Sequence, residues 1–548
     1  MNANRLARSP LYKALILLLL LVSACTPKPI TAPTPTATPL SNPVATQIPI
    51  QEGAHGQSTG ARIPTHVAAN NSSSNPEEKL LLNMDASIDM ENIYAQLIIS
   101  PDSQHAAYFL QHENSYILIV DGKQWQPVDS AHTPVFSSDG SRVALAASIN
   151  GEWHMLINDE AGPAYESMGY PVFSPDGTRL AYSVKKDGKW HMIVDGAMSL
   201  PYDNLGLESI DLGSIEPTSY GIPPVFSPDS KRVAYVAQNG LQQFVVMDGE
   251  AGKPYDEIGA SWDVDAAMNF IVTQPPITFS ADSKHFAYAA REQGRLHVIV
   301  DGKGQLFPYD QIRLNSLAFS PDSSKFGYVA GQNKKFFVVI DGKKGNSFTD
   351  IASFVFSPDS QHIAYSAQQD TNWYVVVDGK ESPAYQVVMG ASFDAGSPPV
   401  FSSDSQRLAY SVGKDGKALV IVDGQEGQPY DDFGLPRFSP DSKHIAFSVR
   451  QGEDAFALID SVLGNPYNSI GPVVPTANGY AIGTPIFSSD GKHVAYAAKQ
   501  GDHWIAIVDG KETETSDMVF AMAFSGSETI HFMVQKDHEI YLVTQKLD

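Results

Sequence analysis

The sequence predicts an all-β protein, a β-propeller of about eleven four-stranded blades, on three observations. A phrase of the form Phe-Ser-Pro-Asp-Gly recurs, with its aspartate at Asp102, Asp139, Asp176, Asp229, Asp282, Asp322, Asp359, Asp404, Asp441 and Asp490; an eroded copy, FSGSETIHF, begins at Phe524. The shortest spacing is 37 residues, and it occurs five times when the eroded copy is counted at Ser527. Within each copy, four short apolar runs alternate with turn-forming residues, a pattern that suits the strands of propeller blades.

Each element of the copy has a physical warrant. A short strand such as PVF runs into Ser-Pro-Asp-Gly or Ser-Pro-Asp-Ser, residues that close a tight turn. A second strand such as RLAY or HIAY follows, opened by a basic residue or histidine in all ten intact copies. A polar turn leads to a third strand, WHMIVDG in one copy and FVVIDG in another. The fourth segment reads PYDEIG or PYDDFG and is expected to be the fourth strand. One such unit cannot bury both its faces, so the units must stack around an axis.

FSPDGTRLAY and its copies resemble the WD-repeat-like blades of the TolB type, also found in propellers of prolyl oligopeptidase-like proteins. The resemblance covers roughly residues 79–548. It departs from the sialidase Asp-box, in which another residue separates Asp from Gly, and Val-Asp-Gly stands where true WD repeats end in Trp-Asp. It implies the fold and, through TolB, a structural role in the cell envelope; it implies no activity, because function resides in sites grafted onto folds.

The chain ends in EIYLVTQKLD, which reads as a third strand, so the last blade lacks a fourth. The stretch Ser87-Ile88-Asp89-Met90 resembles a fourth segment and precedes the first anchor, so first and last strands are expected to share a blade and remove the open edge. Two rings of five and six blades, with the chain crossing over and returning, or one large ring, both satisfy the sequence.

Ahead of the repeats, Arg5, Arg8 and Lys13 precede the apolar run ALILLLLLV, too short to span a bilayer and suited to a signal peptide. Val22-Ser23-Ala24-Cys25 resembles a lipobox, and Cys25 is the sole cysteine of the chain. Residues 1–24 therefore read as a lipoprotein signal peptide, with Cys25 lipidated and holding the protein on a membrane outside the cytoplasm. Either the outer membrane or the outer face of the cytoplasmic membrane fits. Residues 25–78 read as a disordered Pro/Thr-rich tether and 79–548 as the repeat region. With 37 Lys and Arg against 61 Asp and Glu, the net charge of −24 argues against nucleic acid as a partner.

Most titratable residues are explained by the repeat. His105, His285, His362, His444 and His493 share a slot with Arg142, Arg179, Arg232, Lys325 and Arg407, while His154, His191 and His297 share one with Phe244, Phe337 and Tyr374. Residues that recur once per blade are spread around a ring, not gathered at a site. Trp153, Trp190, Trp373 and Trp504 likewise share one slot and are expected to pack between blades. The turn aspartates are expected to bond their own turns. No Asp-x-Asp-x-Asp-Gly ligand spacing, G-x-S-x-G, H-E-x-x-H or P-loop appears, so neither a metal, a cofactor nor an enzyme activity is expected.

The departures from the repeat carry the candidate site. Four spacings exceed the basic unit by eight to sixteen residues, each between a fourth segment and the next first strand. These insertions contain aromatics outside the strand slots, namely Tyr220, Trp262, Phe270, Phe393 and Tyr480, with Asp263, Asp265 and Asp394 beside them. On one face of a rigid scaffold they would form a binding surface for a protein, peptide or glycan. Alternatively they plug the central channel or cross between two rings. An enzyme reading, a hydrolase or lyase acting on polysaccharide, would need Asp263, Asp265 and Asp394 to converge within roughly 5–10 Å.

Overall fold

The computed structural model describes residues 76–83, 97–112, 115–205, 223–259, 277–306, 309–313, 316–388, 399–471, 475–476, 479–480 and 484–547. These form eleven antiparallel blades and one separate two-stranded pairing, with no α-helix among the described residues. Blade 3 shows the plan. Its second strand, Leu180–Lys186, pairs with the third, Lys189–Val194, which pairs with the two-residue outer strand Ala197–Met198. Its first strand is split: Ser167–Met168 and Val172–Phe173 both pair with the second strand, at different levels.

This plan corrects the reading of the fourth segment. In Pro-Tyr-Asp-Asn-Leu-Gly, Tyr202 bridges to Trp190 of blade 3, whereas Asn204–Leu205 already pairs with the second strand of blade 4. The segment therefore crosses from the outside of one blade to the inside of the next. Its aspartate fastens the crossing, since Asp203 accepts the Gly240 N–H of the blade 4 hairpin at 2.6 Å. Asp256, Asp310 and Asp431 do the same for Gln293, Asn333 and Gly452. The fourth strand proper follows the hairpin after the third strand and in most blades is only two residues long, too short for any periodicity to reveal.

The turns follow from the same residues. Ser174 Oγ donates to Asp176 Oδ1 at 2.6 Å, Asp176 Oδ1 accepts the Thr178 N–H, and Ser174 Oγ accepts the Arg179 N–H. This is an aspartate bonding its own turn, repeated from blade to blade. In Val-Asp-Gly both turn residues have positive φ, 51° at Asp195 and 82° at Gly196, which is why Asp-Gly occupies that two-residue hairpin.

The hydrophobic core lies in the seams between blades. Among the described residues ten buried clusters run through the seams, each shared by consecutive blades. One joins Ala144 and Ala146 of blade 2 to Tyr182 of blade 3, the next Ala181 to Tyr235, and the next Ala234 to Tyr288. A small residue on one face and a large aromatic on the facing strand let the sheets approach closely. Gly327 extends this logic, because a Cβ there would lie 2.8 Å from the Phe354 ring of blade 7.

The succession of seams is unbroken, and one cluster joins Ala495 and Trp504 of blade 10 and Phe532 of blade 11 to Ala106 and Tyr108 of blade 1. The blades thus form a single closed ring; of the two arrangements compatible with the sequence, the pair of five- and six-bladed rings is not the one adopted. First and last strands do share a blade: Glu77–Asn83 pairs antiparallel with Glu539–Lys546 as the outer strand of blade 11. The closing strand lies upstream of Ser87–Met90, which fall outside the described residues, as do Cys25 and the leader. It begins two residues before the boundary at 79, because Glu77 and Glu78 already pair with Thr544 and Val543.

Candidate ligand-facing channel wall

The recurring polar residues serve as latches. His105 Nδ1 lies 2.6 Å from Asp121 Oδ2, and His285, His362, His444 and His493 repeat the contact with Asp301, Asp378, Asp460 and Asp509. Arginine keeps the pairing at Arg179, Arg232 and Arg407, as in Arg179 Nε donating to Asp195 Oδ2 at 2.8 Å. Arg179 also reaches the carbonyls of Ser230 and Lys231 in the next blade and stands over the Phe226 ring. His154 and His191 bond the carbonyls of Gly162 and Ser199 on their own outer turns. Trp153, Trp190, Trp373 and Trp504 pack in seams.

Bonds within their own turns lower the pKa of turn aspartates such as Asp176 and Asp441. The Ser174 hydroxyl, aided by Thr178 and Ser230, brings Asp176 down to about 2, and Ser439 leads the lowering of Asp441 to about 2. Among the described residues no three of His, Cys, Asp and Glu gather in metal-binding geometry. Repeated chemistry here is structural chemistry.

The break in the first strand is where blades differ. First strands form the inner edge of each blade, and those of neighbouring blades touch, as Val135–Phe136 touches Val172–Phe173. Short breaks consist of three residues in blade 2 (His132–Pro134), blade 3 (Gly169–Pro171) and blade 9 (Gly434–Pro436). All four insertions occupy the same break: between Asn204–Leu205 and Val225–Phe226 in blade 4, Glu257–Ile258 and Ile277–Phe279 in blade 5, Val387–Val388 and Val400–Phe401 in blade 8, and Ser469–Ile470 and Ile486–Phe487 in blade 10. They interrupt the first strand itself instead of preceding it, so all four leave the scaffold at one level of the channel wall. A single ring also removes any role as a crossover between rings.

Of the candidate residues, Tyr220, Trp262, Asp263, Asp265, Phe270, Phe393 and Asp394 fall outside the described residues. The backbone of Tyr480 pairs with Pro475 in the two-stranded pairing inside the blade 10 insertion.

Two wall residues stand out only when blades are superposed slot by slot. His132, in the break of blade 2, is buried between the rings of Trp153 and Tyr170, with centroids 4.7 and 4.6 Å away. Burial depresses its pKa to about 4, so the ring is neutral at neutral pH. Arg437 occupies the first-strand position filled by valine in Val135, Val172, Val225, Val355 and Val400. Slot-by-slot comparison within the sequence was the signal for both.

No model of a known protein family matches the sequence, and no curated protein does. Solved structures similar to the chain include TolB from Acinetobacter baumannii (13% identity, TM-score 0.22, 53% of this chain and 88% of that one). The putative TolB from Agrobacterium tumefaciens matches at 16% identity and TM-score 0.22 over 38% of this chain and 78% of that one. The Dos1 propeller matches at 10% identity and TM-score 0.27 over 75% of this chain and 92% of that one. The assignment of the propeller rests on the strand pairing and seams of this chain.

Proposed function

We propose that the chain is a non-enzymatic binding or scaffolding propeller, lipid-anchored through Cys25 outside the cytoplasm, whose insertions hold a protein, peptide or glycan partner. The observation that supports this reading is the common origin of the insertions: four blades place aromatic-bearing segments at the same break in the channel wall. The repeated residues, by contrast, are engaged within and between blades. A rigid ring that varies at one level only is suited to recognition.

Trp262 is the expected anchor, since it lies in an insertion while Trp153, Trp190, Trp373 and Trp504 fill a repeated slot. A partner captured from solubilised envelope by the full protein serves as the ligand. Trp262→Ala should weaken its binding by about 2 kcal/mol, as interface aromatics do, with little change in melting temperature. A large melting shift with unchanged affinity would make Trp262 a channel plug and overturn the reading.

A further inference from the structure

We propose that Arg437 forms an oxyanion-binding subsite on the channel wall between blades 9 and 10, taking a carboxylate or phosphate group of a small soluble ligand. The case begins with the slot. Arg437–Phe438 is the second half of the blade 9 first strand, pairing with Ala446 and Ile445. Phe438 is buried in the cluster shared with blade 8, so strand alternation sends Arg437 to the opposite side, toward blade 10. In no sister blade is this position charged. A valine packs there; an arginine costs that packing and adds a charge, without serving the seam.

Among the described residues its charge is left available. Arg437 is solvent-exposed, yet enough protein encloses it that desolvation alone pulls its pKa below the ordinary arginine value. It remains cationic at neutral pH. Among the described residues no carboxylate pairs with it and no carbonyl accepts from its guanidinium, unlike Arg179, Arg232 and Arg407, which are latched to Asp195, Asp248 and Asp423. The root of the blade 10 insertion lies alongside, because Thr484 Oγ donates to Leu435 O at 3.0 Å, two residues before Arg437.

An unpaired guanidinium is suited to a planar or tetrahedral oxyanion, through two parallel N–H···O bonds. The chain as a whole is acidic, at −24, and repels anions at long range. At physiological ionic strength that repulsion is screened beyond about 8 Å, so the local cation decides. The subsite does not depend on the macromolecular partner proposed above, and its test uses none.

The full protein is labelled with phenylglyoxal, which attacks the neutral guanidine form, and modification of Arg437 is followed by peptide mass spectrometry. Labelling is repeated with inorganic phosphate and with succinate. Arg437 should be modified in the folded protein and protected by one of the two anions, and the anion that protects names the group. In parallel, the protecting anion should raise the melting temperature of the native protein and not of Arg437→Val, a variant that carries the sister blades' own residue. Arg437→Lys, which keeps the charge and loses the fork, should bind about tenfold more weakly. Failure of both anions to protect, or an equal melting shift in Arg437→Val, overturns the subsite and leaves the binding role of the insertions untouched.

Discussion

The interior seams and the closing seam solve one problem in two ways. Between blades 3 and 4, polar bonds supplement the buried seam: Ser230 Oγ accepts the Asp176 N–H, and Arg179 reaches across to the Ser230 and Lys231 carbonyls. Blade 11 has lost this equipment. Its turn reads Ser525-Gly526-Ser527-Glu528, without the aspartate, and Ser525 N–H bonds Thr529 O, one residue short of the Ser174–Arg179 span. The ring instead closes by strand pairing across the length of the chain, with Lys536 paired to Glu78 at 2.7 Å and Asn83 bonded to Glu539 at 3.0 Å. Local repeats favour local latches, whereas an end must be held by something its neighbour in sequence cannot supply.

Breaking the closure should have the largest effect. A protein starting at residue 84 loses Leu81 and Leu82, which are 3% and 0% exposed, each worth about 1.5–3 kcal/mol. It also bares the edge of Glu539–Lys546 to other chains. A sharp fall in melting temperature and concentration-dependent aggregation by light scattering are expected; a protein starting at residue 76 should melt like the full chain. Equal melting of the two would show that the seam contacts alone close the ring.

Next in size is an acid effect at an interior seam. The folded pKa of His132, about 4, lies below the ordinary 6.5, so the unfolded chain takes up the proton first as pH falls. The stability due to neutral His132 is therefore complete above 6.5 and declines from 6.5 to 4, by about 3 kcal/mol at most. His132→Phe, which keeps an aromatic between Trp153 and Tyr170, should remove that part of the pH dependence in denaturant titrations. An unchanged slope over the window would mean that His132 titrates in the fold as it does in the unfolded chain.

A single latch should matter least. Arg179→Met keeps an apolar stem near Phe226 and deletes a partly exposed ion pair together with the bonds to the Ser230 and Lys231 carbonyls, so about 1–2 kcal/mol is expected in chemical denaturation. A loss several times larger would mean that the latches, not the buried seams, hold the interior together.

Much of the fold was legible because its signals repeat. The eleven anchors, the His and Arg slot and the turn aspartates all recur at fixed offsets, and each has the structural role that its recurrence implied. The split first strand was not legible, since halves such as Ser167–Met168 and Val172–Phe173 are two residues each and carry no periodicity. The number of rings was hidden for a different reason: every seam has the same sequence grammar, so nothing in Ala181 or Tyr235 says which blade stands beside it. For the candidate site, insertion lengths showed which blades vary, but not that Leu205 and Ile258 belong to the following blade. His132 and Arg437 are single-residue departures from their slots, which the lengths of the insertions do not reveal.

The break in the first strand also bears on how such a molecule can change. Each break is bounded by residues already paired to the second strand, so a segment added there leaves the pairing on both sides and the seam beyond it in place. Blades 4, 5, 8 and 10 have accepted such additions, while blades 2, 3 and 9 keep breaks of three residues. The ring is thus a frame with equivalent grafting points, in which recognition can be acquired, moved or multiplied without renegotiating the core.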